Sequence, residues 1–171
     1  MTAEIRTPRL VLRAWREDDL GPFAAMNALP EVTKYLRRPL TAEQSDDLVR
    51  RIQAHWDERG FGLWAAELRG DGRFVGFIGL SVPTFLPAVL PAVEVGWRLA
   101  PNVWGQGLAT EGGRASISYG FDTLALDRIV SIIHPDNGAS RRVAEKLGMR
   151  LSHTLPHPPL GEVCIYEISP P

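Results

Sequence analysis

The chain of 171 residues has a single cysteine, Cys164, so it can form no internal disulfide and contains no CxxC pattern. Its charges nearly cancel, with 19 Lys and Arg against 20 Asp and Glu, so no strong field favours nucleic acid or an anionic membrane. The first residues, Met-Thr-Ala-Glu-Ile-Arg, contain no apolar signal core. We therefore expect a cytoplasmic protein that binds neither nucleic acid nor membrane and forms one domain over residues 1–171.

Residues 75–93 carry no charge, and this run is about as long as a membrane span. Three prolines interrupt it: Pro83, Pro87 and Pro91. Because each proline inside a helix costs about 3 kcal/mol or more, we predict two buried strands joined by a loop, not a membrane helix. The loop carries three large apolar side chains: Phe85, Leu86 and Leu90. These side chains either line a substrate cleft, form a dimer contact or pack on the protein's own core.

Alternating and helical periodicities divide the rest of the chain into strands and helices. Strands are predicted at residues 9–15, 61–68, 73–82, 93–99, 129–134, 149–155 and 162–168. Helices are predicted at residues 18–28, at 41–59, from a glycine-rich loop to about 123, and from Ser140 to about 147. The interleaving predicts an α/β (α+β) fold, in which a mixed sheet of about seven strands has about four helices on its two faces. Gly112 and Gly113 lie inside the third helix, which predicts that this helix approaches the sheet closely.

The glycine-rich loop joins the strand at residues 93–99 to the third helix. It contains Trp104-Gly105-Gln106-Gly107-Leu108-Ala109-Thr110-Glu111. The first N–H groups of a helix have no partner within it, and the helix dipole places partial positive charge there. A phosphate can accept these N–H groups only where no side chain blocks the backbone, so Gly105 and Gly107 indicate an anion-binding loop. Leu108, between Gly107 and Ala109, is predicted to point inward as a packing anchor.

Three kinds of anion-binding loop place glycines before a helix. The P-loop ends in Gly-Lys-Ser/Thr, which this chain lacks. The dinucleotide fingerprint needs a third glycine where Thr110 lies, and its acidic residue should end a strand, whereas Asp127 precedes one. The third kind is a coenzyme A loop.

Three motifs, taken in their order along the chain, resemble those of the GNAT acetyltransferases, and in particular their ribosomal-protein N-terminal branch (RimJ/RimL-like). They are Thr7-Pro8-Arg9-Leu10-Val11-Leu12-Arg13 with Asp18-Asp19-Leu20, the glycine-rich loop, and Asn137-Gly138-Ala139-Ser140 continued to Leu147-Gly148-Met149. The family loop has the pattern Gln/Arg-x-x-Gly-x-Gly/Ala. Gly107 and Ala109 match its last two specified positions, and Trp104 replaces the usual Gln or Arg. The resemblance covers nearly the whole chain and implies a mainly antiparallel, twisted sheet.

The resemblance also implies that acetyl-CoA is the cosubstrate and that no metal is needed. The implied cofactor-binding residues are Trp97, Arg98, Leu99, Gly105, Gln106, Gly107, Leu108, Ala109, Thr110 and Asn137. The strand at Trp97 to Leu99 would pair with the pantetheine arm, and one of its N–H groups could polarise the thioester carbonyl. Asn137 would contact the amide-bearing arm of the cofactor, whereas its local alternative is a turn residue or helix N-cap.

Two residues are candidates for catalysis. Many GNAT relatives carry a tyrosine seven residues after the asparagine as the acid for the leaving thiolate, and that position here is Ala144. In the RimJ/RimL-like branch a serine three residues after the asparagine is proposed instead, which identifies Ser140; its alternative role is to begin the helix. Glu94 is the candidate base, because burial in an apolar strand would raise its pKa. Otherwise Glu94 lies on an exposed strand face or pairs with an arginine such as Arg98.

Other polar residues are weaker candidates. Asp136 suits a turn better than a base. His153 and His157 are four residues apart, but Pro156 and the prolines that follow prevent the helix that would align them as metal ligands. His55, in the second helix, either faces the acceptor cleft or is an ordinary surface histidine.

The sequence therefore predicts an acetyl-CoA-dependent N-acetyltransferase in which a primary amine attacks the thioester directly. The acceptor would be a protein N-terminus or a small amine, and a homodimer is expected by resemblance. The alternative is a non-catalytic acyl-CoA-binding or regulatory module, since the usual tyrosine and the usual first loop residue are missing. Such a module would bind coenzyme A but release no thiol with any amine.

Overall fold

The structure is a computed structural model that describes residues 2–36, 38–158 and 160–171. The strands are β1 (Ile5–Arg6), β2 (Leu10–Arg13), β3 (Leu63–Leu68), β4 (Phe74–Ser81), β5 (Val93–Leu99), β6 (Ile129–Ile133), β7 (Arg150–His157) and β8 (Gly161–Ile168). The α-helices are α1 (Leu20–Asn27), α2 (Pro30–Thr33), α3 (Ala42–Arg59), α4 (Leu108–Asp122) and α5 (Gly138–Lys146). Short 3₁₀ helices span Glu17–Asp19, Pro87–Val89 and Pro101–Val103.

The eight strands of the described residues form one sheet, in the order β1-β2-β3-β4-β5-β6-β8-β7. Neighbouring strands are antiparallel except β5 and β6, which are parallel. The predicted mixed, mainly antiparallel sheet is confirmed. It has one strand and one α-helix more than the approximate numbers predicted, because β1 and α2, of two and four residues, are too short to show a periodicity.

Helix α4 approaches the sheet as closely as its glycines predicted. A Cβ placed on Gly112 would lie 2.4 Å from Cδ1 of Ile78 on β4. A Cβ on Gly113 would lie 3.0 Å from Cδ1 of Leu147, at the end of α5. A Cβ on Gly112 would force the Ile78 side chain to move, and one on Gly113 would press on that of Leu147, so glycine at both positions lets α4 lie directly against the sheet and α5.

Helix α1 packs on the other face of the sheet, where the Phe23 ring lies 6.0 Å from that of Phe77 on β4. Arg13, at the end of β2, donates two hydrogen bonds of 2.8 Å to the two carboxylate oxygens of Asp19, just before α1. It donates a third, of 2.6 Å, to Glu67 on β3. These bonds, above all those to Asp19, raise the pKa of Arg13. The first of the three motifs therefore fixes the start of α1 against the sheet.

The proline-rich loop between β4 and β5 divides its apolar side chains between core and surface. Leu86 and Val89 are buried against side chains of β6 and β8. Phe85 and Leu90 are exposed. Two strands joined by a loop, with Leu86 packed on the protein's own core, are thus confirmed. None of the helices in the described residues combines the length and the hydropathy needed to cross a bilayer.

Candidate active site

The parallel pair at the centre of the sheet opens into a gap. β5 and β6 pair only at their first residues, Val93 with Ile129 and Glu94 with Val130. Beyond this point the two strands separate, while β5 continues to pair with β4 and β6 with β8. The result is a wedge-shaped opening that has strand edges, with their backbone polar groups, on two sides.

The glycine-rich loop lies beyond the end of β5 and leads into α4. Gly105 and Gly107 have φ angles of +72° and +79°, a conformation that residues with side chains rarely adopt. Leu108 begins α4 and is buried in the core, as predicted. Trp104 donates a hydrogen bond of 2.7 Å from Nε1 to the carbonyl oxygen of Leu99, which ties the loop to the end of β5.

The N-terminus of α4 offers free hydrogen-bond donors. The first backbone bond of the helix runs from the N–H of Glu111 to the carbonyl oxygen of Gly107, at 3.0 Å. Within the described residues, the N–H groups of Gly107, Leu108, Ala109 and Thr110 have no acceptor. These donors and the positive end of the helix dipole suit an anion such as a phosphate.

Arg9, just before β2, holds this loop from the side, a role that the sequence analysis missed. Its Nη1 donates a hydrogen bond of 2.8 Å to the carbonyl oxygen of Gln106, and its Nε donates one of 2.7 Å to Glu111. Its Nη2 lies 3.5 Å from where a Cβ on Gly107 would be. Burial by itself would raise the pKa of Glu111, but hydrogen bonds from Thr7 and Arg9 lower it. Arg9 therefore brings positive charge beside the free N–H groups of α4.

Three predicted residues meet on the α5 side of the gap. Trp97 donates a hydrogen bond of 3.3 Å from Nε1 to Oγ of Ser140. The N–H of Ser140 in turn donates to Oδ1 of Asn137 at 3.1 Å, so Asn137 is the N-cap of α5. Because the Ser140 oxygen accepts from Trp97, the hydroxyl proton is left to donate elsewhere. The side-chain NH2 of Asn137 likewise has no acceptor among the described residues.

The opposite face of β5 carries charged residues. Glu94, Gly96 and Arg98 alternate along the strand with residues that face α4 and α5. Oε1 of Glu94 accepts a hydrogen bond of 3.4 Å from the N–H of Ile132, where β6 departs from β5. Glu94 is partly exposed as a residue, but protein atoms surround its carboxyl group, and this burial raises the pKa of Glu94 to about 8. Such a carboxyl group can exchange protons near neutral pH.

Arg98 lies farther along the same face. Its Nη1 donates a hydrogen bond of 2.9 Å to Oδ1 of Asn27 in α1, and its guanidinium carbon lies 5.3 Å from the centre of the Phe77 ring. Burial lowers the pKa of Arg98 to about 10. Arg98 forms no ion pair with Glu94 or with any other carboxylate in the described part of the chain. The alternative in which Glu94 pairs with Arg98 is therefore not observed.

Tyr35, which follows α2, contacts the segment that follows β6. Its Oη donates a hydrogen bond of 3.0 Å to the carbonyl oxygen of Asp136, in the turn between β6 and α5. Its ring stacks on that of His134, with ring centres 5.3 Å apart. The segment after α2 thus packs on the turn between β6 and α5, and Asp136 itself lies in this turn, as predicted.

The other polar candidates are occupied or lie elsewhere. Both ring nitrogens of His55 bond to the backbone, Nδ1 to the carbonyl oxygen of Phe61 at 2.8 Å and Nε2 to the N–H of Val82 at 3.1 Å. His153 lies on strand β7, and no group of three or more His, Cys, Asp or Glu in the described ranges could hold a metal ion. Cys164 is buried in β8.

The predicted site residues therefore surround one opening. The loop at residues 105–110 lies beyond the end of β5, Trp97 and Ser140 lie on one face of the gap, and Glu94 lies on the other. The residues that were missed, Arg9 and Tyr35, come from the first part of the chain. The first motif contains Arg9 but not Tyr35, and nothing in the sequence indicated that Arg9 would reach the loop or that Tyr35 would reach the β6–α5 turn.

Known proteins are similar to this chain in sequence and, for a solved structure, in fold. The family model described as acetyltransferase (GNAT) domain matches residues 9–150. The uncharacterized protein YkkB of Bacillus subtilis (strain 168) is 33% identical over 150 residues, which are 87% of this chain and 86% of YkkB. The uncharacterized N-acetyltransferase YoaA of the same organism is 30% identical over 148 residues, 85% of this chain and 82% of YoaA. The crystal structure of an acetyltransferase from Agrobacterium tumefaciens str. C58 covers 99% of this chain and 96% of its own, at 26% identity and a TM-score of 0.87.

Proposed function

Because the chain belongs to the GNAT acetyltransferase family and is thus an acetyl-CoA-dependent N-acetyltransferase, we propose that it acetylates a primary amine by direct attack within the gap between β5 and β6. One observation carries the proposal: free helix donors, a hydroxyl group with an available proton and a carboxyl group with a raised pKa all border this gap. A site that aligns both reactants in this way needs no covalent enzyme intermediate.

The residues at the loop fit the phosphate end of acetyl-CoA. The N–H groups of Gly107 to Thr110 would bind its pyrophosphate, and the guanidinium of Arg9 would add a positive charge beside them. Nothing lies within 4 Å of where a Cβ of Gly105 would be, which leaves room for a ligand to approach the backbone there. Gln106 and Leu108 would contribute their backbone, since the side chain of Leu108 is in the core.

The residues along the gap fit the pantetheine end. The edge of β5 from Trp97 to Leu99 would pair with its amide groups, as an added strand does. The register of β5 on β4 and the bond from the Ala100 N–H to the Val75 carbonyl direct the backbone of Arg98 toward β4 and that of Trp97 and Leu99 toward the gap. The carbonyl oxygen of Leu99 already accepts from Trp104, which leaves Trp97 and the N–H of Leu99 as the main pairing positions. The free NH2 group of Asn137 would donate to an amide carbonyl of the arm.

Glu94 and Ser140, on the two faces of β5, would act as the general base and as the hydrogen-bond donor to the leaving group. As the amine nitrogen bonds to the acetyl carbon, Glu94 would take the amine proton, directly or through water. As the carbon–sulfur bond breaks, the Ser140 hydroxyl would donate a hydrogen bond to the departing thiolate. A thiol has a pKa of about 8.5, so a single hydrogen bond suffices to stabilise the thiolate near neutral pH.

The acceptor is proposed to be a small amine or a protein N-terminus. The matching family model describes the GNAT domain in general, so the RimJ/RimL-like branch, with ribosomal proteins as acceptors, stays a prediction. The homodimer that the resemblance implies also stays a prediction.

Cofactor choice is tested by a thermal-shift titration with acetyl-CoA, coenzyme A, NAD and ATP in parallel, followed by thiol release with an amine panel. A ligand that binds only the folded state raises the melting temperature by mass action. We expect stabilisation by the two CoA compounds alone and thiol release with at least one amine. Stabilisation by NAD or ATP instead would contradict the cofactor assignment, and CoA binding without thiol release would favour a non-catalytic module.

The loop assignment is tested by Gly107→Val, with Gly72→Val as its matched control. Both glycines have positive φ, +79° and +71°, but Gly72 lies in the turn between β3 and β4. Strain at positive φ is therefore common to both variants, and only Gly107→Val places a side chain beside the free N–H groups. We expect Gly107→Val to lower the affinity for coenzyme A by roughly tenfold or more, by calorimetry. Unchanged affinity in a folded Gly107→Val protein would overturn the loop assignment.

A further inference from the structure

The side chain of Arg98 is partly buried, and among the described residues its guanidinium has no carboxylate partner. Arg13 and Arg9, which also contact the folded body, pair with the carboxylates of Asp19 and Glu111. Arg98 instead donates one hydrogen bond to the neutral amide oxygen of Asn27, and its guanidinium lies over the face of the Phe77 ring. A buried charge without a counter-ion is costly and is usually neutralised by a partner or a ligand.

The free donors of Arg98 remain available for such a ligand. A guanidinium has five N–H donors in a planar fork, and the described residues use one of them. The remaining donors match the geometry of a carboxylate, which arginine binds through two parallel hydrogen bonds.

Arg98 also shares an open space with the proposed base. Glu94, Gly96 and Arg98 are alternate residues on one face of β5, so the two charged residues are about 13 Å apart along the strand. Nothing lies within 4 Å of where a Cβ on Gly96 would be. Both side chains are long and border this space, yet they form no ion pair with each other.

We propose that Arg98 binds a carboxylate of the acceptor, so that the preferred acceptor is a small amine carrying a carboxylate, such as an amino acid. This inference rests on the proposed function. The carboxylate occupies the free donors of Arg98, the amine lies toward Glu94, and Gly96 leaves room for the carbon atoms between them. Arg98 is then a specificity-determining residue, because only an acceptor with a carboxylate supplies the negative charge that pairs with its guanidinium.

A purely structural role for Arg98 predicts different behaviour. Asn27 also donates a hydrogen bond of 2.9 Å from Nδ2 to Oγ of Ser45, so Arg98, Asn27 and Ser45 link β5 to α1 and α3. If this link were the whole function of Arg98, its loss would lower turnover of all acceptors by the same factor. The ratio of kcat/KM for two acceptors, measured with one protein, separates the structural role of Arg98 from acceptor binding. Misfolded protein lowers the rates with both acceptors by the same factor and leaves this ratio unchanged.

The experiment compares the common α-amino acids with their primary carboxamides as acceptors, by thiol release from acetyl-CoA. The proteins are the parent, Arg98→Met, Arg98→Lys and the control Arg50→Met, which removes an exposed arginine of α3 that pairs with Asp47. For at least one amino acid, we expect the parent to prefer the free acid over the carboxamide by roughly 30-fold or more in kcat/KM. Arg98→Met should abolish the preference, mainly through KM; Arg98→Lys should retain part of it, and Arg50→Met all of it.

Equal rates for acids and carboxamides in the parent would overturn the inference while the proposed function stands. So would a preference that survives Arg98→Met, or efficient acetylation of carboxyl-amidated peptides in place of amino acids. If no amine releases thiol, the proposed function fails, and Arg98 is then tested by binding. In that case amino acids must still raise the melting temperature of the CoA-saturated parent, and not that of CoA-saturated Arg98→Met. No such shift would overturn the inference as well.

Discussion

Strand β5 presents an uncharged, hydrogen-bonded face toward α5 and a charged face toward α1. On the first face, Trp97 bonds to Ser140 within a chain of contacts that begins at the N-cap Asn137. On the second, Glu94 and Arg98 are both buried enough to have shifted pKa values, one raised to about 8 and the other lowered to about 10. The first face suits a neutral cosubstrate arm, whereas the second suits an acceptor that exchanges a proton and carries a charge.

The two faces also differ in how they are built. The Asn137–Ser140 contact lies within one turn of chain, and the loop that follows β5 uses its own backbone. Arg98 is held by Asn27, 71 residues away, and Tyr35 reaches the turn at Asp136, 101 residues away. Local sequence therefore specifies the helix cap and the loop backbone on the cosubstrate side, where Trp97 and Arg9 add contacts from distant segments. Packing between distant segments specifies the acceptor side.

The largest expected effect comes from removing the proposed base on the charged face. Glu94→Gln should lower kcat by about 100- to 10,000-fold, the usual contribution of general base catalysis. In the parent, kcat should rise with pH up to about 8, as the carboxyl group loses its proton. In Glu94→Gln this rise should be lost, whereas Glu162→Gln, at an exposed carboxylate of β8, should keep the parent profile. An unchanged pH profile in Glu94→Gln would remove Glu94 from the mechanism.

The raised pKa of Glu94 also has a consequence for stability that does not depend on catalysis. Between the ordinary value of 4.5 and about 8, the folded state binds a proton that the unfolded state has released. Stability therefore falls as pH rises through this window. Glutamine does not titrate. The melting temperature of Glu94→Gln, relative to that of the parent, should therefore be higher at about pH 9 than at about pH 5. An equal difference at both pH values would mean that the carboxyl group titrates normally.

A smaller effect is expected on the uncharged face. Ser140→Ala should lower kcat by roughly ten- to a hundredfold, the strength of one hydrogen bond to a charged group. The affinity for coenzyme A should change less than turnover, because Ser140 acts on the leaving thiolate. Ser118→Ala, at an exposed serine of α4, is the control. Equal turnover for Ser140→Ala and the parent would show that the thiolate leaves without this hydroxyl group.

The smallest effect is expected at the rim of the loop. Arg9→Gln should weaken coenzyme A binding by roughly fivefold, since it removes a partly exposed charge and the bond to the Gln106 carbonyl. Calorimetry at low and high salt should show a smaller salt dependence for the variant than for the parent. Arg6→Gln, at an exposed arginine that pairs with Glu4, should bind as the parent does. If the affinity of Arg9→Gln for coenzyme A depended on salt as that of the parent does, Arg9 would stabilise the loop without contacting the phosphates.

The sequence by itself determined the elements and the local geometry of the site. Periodicity located the main strands and helices within a few residues, and Gly112 and Gly113 predicted the close approach of α4, because a side chain there would collide with Ile78 or Leu147. The glycines before α4 and the cap at Asn137 follow from short-range rules, since backbone conformation and helix-end hydrogen bonding involve neighbours in the chain.

Only the tertiary structure decided which distant residues meet. The contact of Arg9 with Glu111 joins positions 102 residues apart. The separation of β5 from β6 after two residue pairs is not indicated by the sequence of either strand. Arg98 could not be distinguished by sequence from an arginine paired with Glu94. Strand order and register decide these contacts, and a periodic pattern specifies which face of a strand is buried without specifying which strand lies beside it.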